Sequence, residues 1–171
     1  MGTVLRILGA VLAVALLAIA GLAVAARLHD GPIAIFPGGP FESGELATGP
    51  EPDWSFVRDV QEVEFQLHDP PRSRTTWILD HEGRAYIPCG YMTTWWGRLW
   101  KQWPHEVAKD PRIVLRIGGK LYERRLVRIE EGPVVGPLLE QLGRKYLGGR
   151  EVPREAVSSG YLWLFELAPP G

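Results

Sequence analysis

The chain has a single cysteine, Cys89, in 171 residues. No intrachain disulfide and no cysteine-based zinc site can be built from it, and it lies too far from the N-terminal apolar segment for lipid attachment there. Following Pro88 at the end of an apolar stretch, it reads as buried core rather than as a nucleophile. The four histidines, His29, His68, His81 and His105, are scattered without ligand spacing, so no metal site is expected. There is no glycine-rich phosphate loop, no G-x-S-x-G elbow and no nucleic-acid motif. A net charge of −1 indicates no partner by itself.

Turn formers and large aromatics are abundant instead. Fifteen prolines and twenty glycines favour many turns over long helices, and seven tryptophans suit surfaces that must be apolar and polar at once. With 46% hydrophobic and 23% charged residues the composition is globular. Beyond its apolar start the chain is long enough for one domain with a core.

Charge is unevenly spread. Residues 32 to 70 hold eight acids and one base, Arg58, a balance of −7; residues 71 to 129 hold twelve bases and five acids, a balance of +7. Either the two halves neutralise each other across surface strands, or the basic half faces a phosphate or carboxylate ligand.

Ile7 to Ala26 is an unbroken run of twenty apolar or small residues between Arg6 and Arg27. At about 1.5 Å per residue a helix of this length spans roughly 30 Å, the thickness of a bilayer core. Ala23-Val24-Ala25 resembles a signal-peptidase site, but the run exceeds the roughly 7–15 residues of a signal's hydrophobic centre. The expectation is an uncleaved single-pass anchor in the cell membrane, with the globular domain on the extracytoplasmic side. That location argues against a nucleic-acid partner for the basic, tryptophan-bearing half. The expected organisation is an anchor over 1–30, a Pro/Gly-rich linker over 31–53 and a folded domain over 54–171.

Within that domain Asp53 caps a short helical turn. Val60 to Leu67 alternates apolar and polar residues, the mark of a half-buried strand, and His68-Asp69-Pro70-Pro71 ends it. Arg74 to Leu79 is a second strand and Arg84 to Pro88 a third, joined by a four-residue loop over Asp80 to Gly83. Gly90 to Gly97 reads as an irregular aromatic loop and Lys101 to Lys109 as a helix. Arg112 to Ile117 and Lys120 to Ile129 are strands four and five, turning on Gly118-Gly119. Pro137 to Tyr146 carries leucines at helical spacing, and Tyr161 to Leu167 is a sixth strand. Strands outnumber helices without βαβ alternation, which predicts an antiparallel barrel, mainly β with small helices.

A phosphate requires positive charge and converging donors. Arg72, Ser73, Arg74, Thr75 and Thr76 supply guanidinium forks and hydroxyls in one run. Strand alternation puts Arg74 and Thr76 on one face and Thr75 on the other. Arg98 and Lys101 add charge from the helix start. The bland alternative is an exposed strand edge whose charges block aggregation.

The order of these elements, with the phrases GRAYIPCG and KQWPHEVAKDPRIVLRIGGKLYERRLVRI, resembles the FMN-binding split-barrel superfamily. That superfamily includes the pyridoxamine phosphate oxidase-like proteins and deazaflavin-dependent nitroreductase relatives. In the latter a W-x-H-N-L-x-x-x-P phrase before a strand is similar to Trp103 through Pro111 here, with Glu106 in place of the asparagine. The resemblance covers roughly residues 58 to 167 and is sharpest from Gly83 to Ile129. It implies a six-stranded antiparallel split β-barrel, here preceded by the expected transmembrane helix, which is unusual for the superfamily. It also implies FMN or a deazaflavin in a groove at a homodimer interface. Arg74, Thr75, Thr76, Lys101, Trp103 and His105 are then the cofactor-binding candidates, with no catalytic residue singled out. Two functions follow: an anchored oxidoreductase with a quinone-like acceptor, or a cofactor-free binding or scaffold module on the same barrel.

Overall fold

The structure, a computed structural model, describes residues 2–171. The first element is α1 (Gly2–Arg27), long and apolar enough to cross a membrane and almost wholly exposed along its length. It is followed by β1 (Glu45–Leu46), a 3-10 turn (Trp54–Asp59), β2 (Glu62–Leu67), β3 (Ser73–Trp77), β4 (Leu79–His81) and β5 (Arg84–Cys89). Next come α2 (Trp95–Trp100), α3 (Trp103–Val107), β6 (Arg112–Ile117), β7 (Lys120–Ile129), α4 (Val135–Tyr146), α5 (Glu155–Ser158) and β8 (Trp163–Ala168).

Seven strands form one curled antiparallel sheet in the order β3-β2-β6-β7-β8-β5-β4, and β1 lies parallel against β7. The half-barrel is open. Its two terminal strands, β3 and β4, share no ladder, although only Ile78 separates them in the chain. The single strand expected over Arg74 to Leu79 is therefore two strands. One half pairs with β2 and the other with β5.

A break of this kind strands backbone groups, which must find partners elsewhere. The end of α4 supplies them. The Ile78 amide donates to the Tyr146 hydroxyl at 3.0 Å and the Ile78 carbonyl accepts from the Lys145 ammonium at 2.9 Å, while the single hydroxyl proton is shared between the Gln61 carbonyl at 2.7 Å and the Ile78 carbonyl at 2.8 Å. The Tyr146 ring also stacks on Trp77, centroids 4.5 Å apart and planes 5° from parallel. Further along α4, Gln141 accepts from the Asp80 amide at 2.9 Å and donates to its carboxylate at 2.6 Å. Leu138, Leu139 and Leu142, the periodic leucines, bury against the outer face of β4, β5 and β8 together with Leu79, Tyr86 and Leu164. Each such side chain contributes about 1.5–3 kcal/mol through removal of apolar surface from water.

The main core fills the concave side. Val63, Phe65 and Leu67 of β2 point inward, as their alternation requires, to meet Ile87, Ile113, Leu115 and Phe165. Trp54 in the 3-10 turn is buried in the same core, and Asp53 caps that turn by accepting from the Ser55 amide at 2.9 Å. The β6–β7 hairpin turns on Gly118-Gly119 at φ 57° and 79°, which an L side chain rarely adopts.

Three local expectations give way. The β4–β5 hairpin turns on Glu82-Gly83 alone, because β4 extends to His81. The aromatic segment after Gly90 contains a helix, α2, which Thr94 starts by accepting from the Gly97 amide at 3.1 Å. The helix expected over Lys101 to Lys109 shortens to α3, because Lys101 already closes α2 by donating to the Gly97 carbonyl. Beyond these, α5 and β1 have too few residues to show a period.

The segment over 31–53 runs as a strap along the barrel. Gly38 bridges to Ser73, the buried Ser73 hydroxyl donates to the Gly39 carbonyl at 2.7 Å, and Glu45 and Leu46 pair with Lys120 and Leu121. The end of α1 is fixed as well. Ala26 is fully buried, the Gly39 amide donates to the His29 carbonyl at 3.1 Å, and Arg116 lies 2.7 Å from both Asp30 and Glu64. The acidic lead-in and the basic body thus neutralise each other at Arg116.

Candidate functional site

β4 is three residues long, so the second half of β5 has a ladder partner only in β8. Pro88 sits in that half, where the missing amide on the open side leaves no ladder bond unmade. Between β3 and this open side of β5 lies a seam no hydrogen-bond ladder closes. A groove follows it, with Arg74, Thr76 and Trp77 on one wall and Pro88, Gly90 and Tyr91 on the other. Leu99, Trp100, Lys101 and Trp103, from α2 and α3, close one end. The groove then rounds β3 to the strap at Asp30, Pro32 and Ile35. Its volume of ≈ 1420 Å³ exceeds the roughly 300–1,000 Å³ of an ordinary ligand pocket, because seam, strap corner and a third region lined by Leu142, Leu147, Val152 and Ala156 of α4, α5 and their connection are joined.

Arg74 pairs with Phe65 across the β2–β3 ladder, and Thr76 with Val63, so both share the concave face. Thr75 pairs with Glu64 on the convex face and is exposed, yet it lines the groove because β3 is the sheet's edge. The Arg74 side chain is 16% exposed and lies 3.5 Å from Glu106 of α3. Burial pushes its pKa down, and the Glu106 carboxylate acts against that shift. The Arg74 Nε and Glu106 Oε2 are both buried without a hydrogen-bond partner. Lys101, half-buried at the end of α2, makes no ion pair among the described residues.

Trp103 is 4% exposed and packs edge-on to Phe65 at 5.0 Å and against Phe165 at 5.3 Å, so it anchors α3 in the core while lining the groove. His105 stands apart. It is exposed, lies edge-on to Trp163 at 5.5 Å and does not line the groove. Cys89 is buried at the end of β5, its thiol 3.6 Å from the Met92 sulfur. Burial pushes its pKa up to about 11, against the pull of the nearby Lys101 and Arg74 charges. It is a core thiol.

The structure thus brings Arg74, Thr75, Thr76, Lys101 and Trp103 to one groove and leaves His105 outside it. Sequence reasoning noted Trp100 as an aromatic just before the expected helix but passed over Tyr91, in the segment read as an irregular loop, and Leu99, which follows that loop. The available signal was Thr94, an N-cap residue placed before a short run of tryptophan and leucine.

No family model and no curated protein matches this chain. Among solved structures, a conserved hypothetical protein from Mycobacterium tuberculosis aligns over 68% of this chain and 77% of its own, at 13% identity and a TM-score of 0.46. A putative pyridoxamine 5'-phosphate oxidase from Listeria innocua aligns over 68% of this chain and 90% of its own, at 17% identity and a TM-score of 0.44.

Proposed function

We propose that this is a membrane-anchored split-barrel protein that holds FMN or a deazaflavin in the seam groove and uses it as an oxidoreductase with a quinone-like acceptor. One observation carries the reading. An arginine with a buried, unpartnered Nε, an ion-pair-free lysine and a threonine hydroxyl share one groove with aromatic side chains. That donor set fits an anionic tail beside a flat ring system. Arg74, Lys101 and Thr76 would hold the phosphate or acidic tail, Thr75 the entrance, and Trp100 and Tyr91 the ring. When bound, the cofactor supplies hydride chemistry, and the protein supplies binding, orientation and exclusion of water. Length and apolarity of α1 support the anchoring, and an anchor keeps the groove near membrane quinones.

The Arg74–Glu106 pair favours a second reading, a cofactor-free binding or scaffold module. A carboxylate beside the arginine already offsets part of the charge an anionic ligand would need. Such a module is expected to act as a homodimer.

The two readings separate in a spectrum of the purified full chain, followed by calorimetric titration with FMN and with a deazaflavin. Visible flavin or deazaflavin absorption, or saturable binding of either, is expected. Binding weakened about tenfold or more in both Arg74→Gln and Lys101→Gln would fit the loss of a charge-assisted hydrogen bond. A colourless protein that binds neither cofactor sinks the redox reading, and a stable dimer in light scattering would then support the module.

A further inference from the structure

Helix α2 turns its apolar surface away from the protein. Gly97 is its one buried residue, and a Cβ there would lie 1.9 Å from the Tyr91 carbonyl oxygen, so the helix rests directly on the Tyr91 backbone. At 3.6 residues per turn, Trp95 and Leu99 project about 160° from Gly97, opposite the contact. They are 75% and 74% exposed. Trp96 and Trp100 occupy one flank, with the Tyr91 ring 5.0 Å from that of Trp96. Arg98 occupies the other flank, and Lys101 follows the last turn. Three tryptophans, a leucine and a tyrosine in one exposed patch between two cations are unlike the scattered apolar residues of an ordinary surface. Indole rings favour the headgroup level of a bilayer, and lysine and arginine beside them favour anionic lipid.

The placement of α1 says what covers this patch. Asp30 comes three residues after the last residue of α1 and is held 2.7 Å from Arg116 of the barrel. Three extended residues reach at most about 10 Å. The headgroup zone itself adds roughly 5–7 Å to each side of the hydrocarbon. The strap corner of the groove therefore sits at the membrane surface, and the same groove runs from Asp30 and Pro32 to Leu99, Trp100 and Lys101.

We infer that α2 is a second membrane contact, an interfacial helix whose Trp95, Trp96 and Leu99 enter the headgroup region of an anionic bilayer while Arg98 meets lipid phosphates and Trp100 and Lys101 stay on the groove side. The inference rests on the reading of α1 as a membrane anchor. It turns the mouth of the groove towards lipid, so that an apolar acceptor enters from the bilayer rather than from water.

The test uses the full chain in nanodiscs, with an environment-sensitive fluorophore on a single introduced cysteine in a Cys89→Ala background. Leu99→Cys reports on α2 and Ala13→Cys on the anchor. Glu140→Cys reports on the exposed face of α4, beside Arg58 and His81 and outside the groove lining. Expected are blue-shifted emission and strong quenching by headgroup-level spin-labelled lipid at position 99, stronger in anionic than in zwitterionic discs, with deep quenching at 13 and none at 140. Quenching at 13 without quenching at 99 overturns the inference and leaves the anchor standing. No quenching at 13 overturns the anchor and the inference with it. Equal quenching at 99 in both lipids removes the role given to Arg98. A disulfide between two unlabelled Leu99→Cys chains in the disc assigns the patch to a second copy and overturns the inference.

Discussion

The Tyr146 hydroxyl stands in the place of a neighbouring strand for Ile78. It accepts from the amide at 3.0 Å and lies 2.8 Å from the carbonyl of the one residue at which the sheet changes partners. Lys145 supports the same carbonyl, and reaches that of Val57 at 3.0 Å. The barrel's break and the end of α4 are therefore one structural unit.

Tyr146→Phe leaves the buried Ile78 amide without an acceptor while keeping the ring on Trp77. A loss of about 1–3 kcal/mol is expected. It should appear as a lower urea midpoint at unchanged slope, and an unaltered midpoint would show that water replaces the hydroxyl without cost.

The same site sets an alkaline limit. Burial pushes the Tyr146 phenol from 10.0 up to about 12. A raised folded-state pKa means stability fully present below about 10 and lost as pH climbs towards about 12, where the unfolded chain ionises first. Absorbance titration should show a late Tyr146 step, alongside the Tyr86 and Tyr161 phenols that burial also raises. In Tyr146→Phe both that step and its share of the alkaline stability loss should vanish.

At the other end of the pH scale the strap depends on Asp30. A hydrogen bond from the Ser43 hydroxyl, then the Glu42 amide and Arg116, hold its carboxyl at about 2 rather than 3.8. A depressed pKa gives stability that is present above about 3.8 and lost as pH falls through about 2. Acid should therefore loosen the strap, read as lower hydrogen-exchange protection factors at Gly38 and Gly39, and Asp30→Asn should show the same lowered protection at neutral pH.

Cys89 should resist alkylation in the native protein, because its thiol is buried and its pKa is pushed up to about 11. Iodoacetamide labelling in mild denaturant should track the unfolding transition. Rapid labelling without denaturant would place the thiol in contact with solvent.

Glu106 offers a test of the groove's charge. Glu106→Gln removes the carboxylate 3.5 Å from Arg74 and should tighten binding of an anionic flavin by up to about tenfold, the scale of a partly buried charge interaction. Unchanged affinity in a variant of unchanged stability would separate Arg74 from ligand binding.

Most of the sheet was legible from alternation and turn chemistry. Val63, Phe65 and Leu67 fix the inward face of β2, and Gly118-Gly119 fixes the β6–β7 turn. Arg74 to Leu79 was not legible as two strands. β-branched and aromatic residues favour extended backbone without saying which neighbour it pairs with, and the partner change at Ile78 depends on Tyr146, 68 residues away. Of the groove, the β3 wall was visible as a run of donors. The α2 wall was hidden because Gly97 reads as a breaker. In the fold it is the residue that lets the helix approach Tyr91. The separation of His105 from the groove follows from the short α3, which seats Trp103 and Val107 in the core and leaves the side chain between them exposed.

The seam also decides how the groove can deform. Because β3 and β4 run through Ile78 as continuous chain and no ladder crosses from β3 to β5, separating the walls breaks no strand pairing. The compliance of the groove is therefore that of a hinge at one residue, latched by two side chains of α4. A bulky guest can be admitted at the expense of those latches while the sheet on either side stays intact.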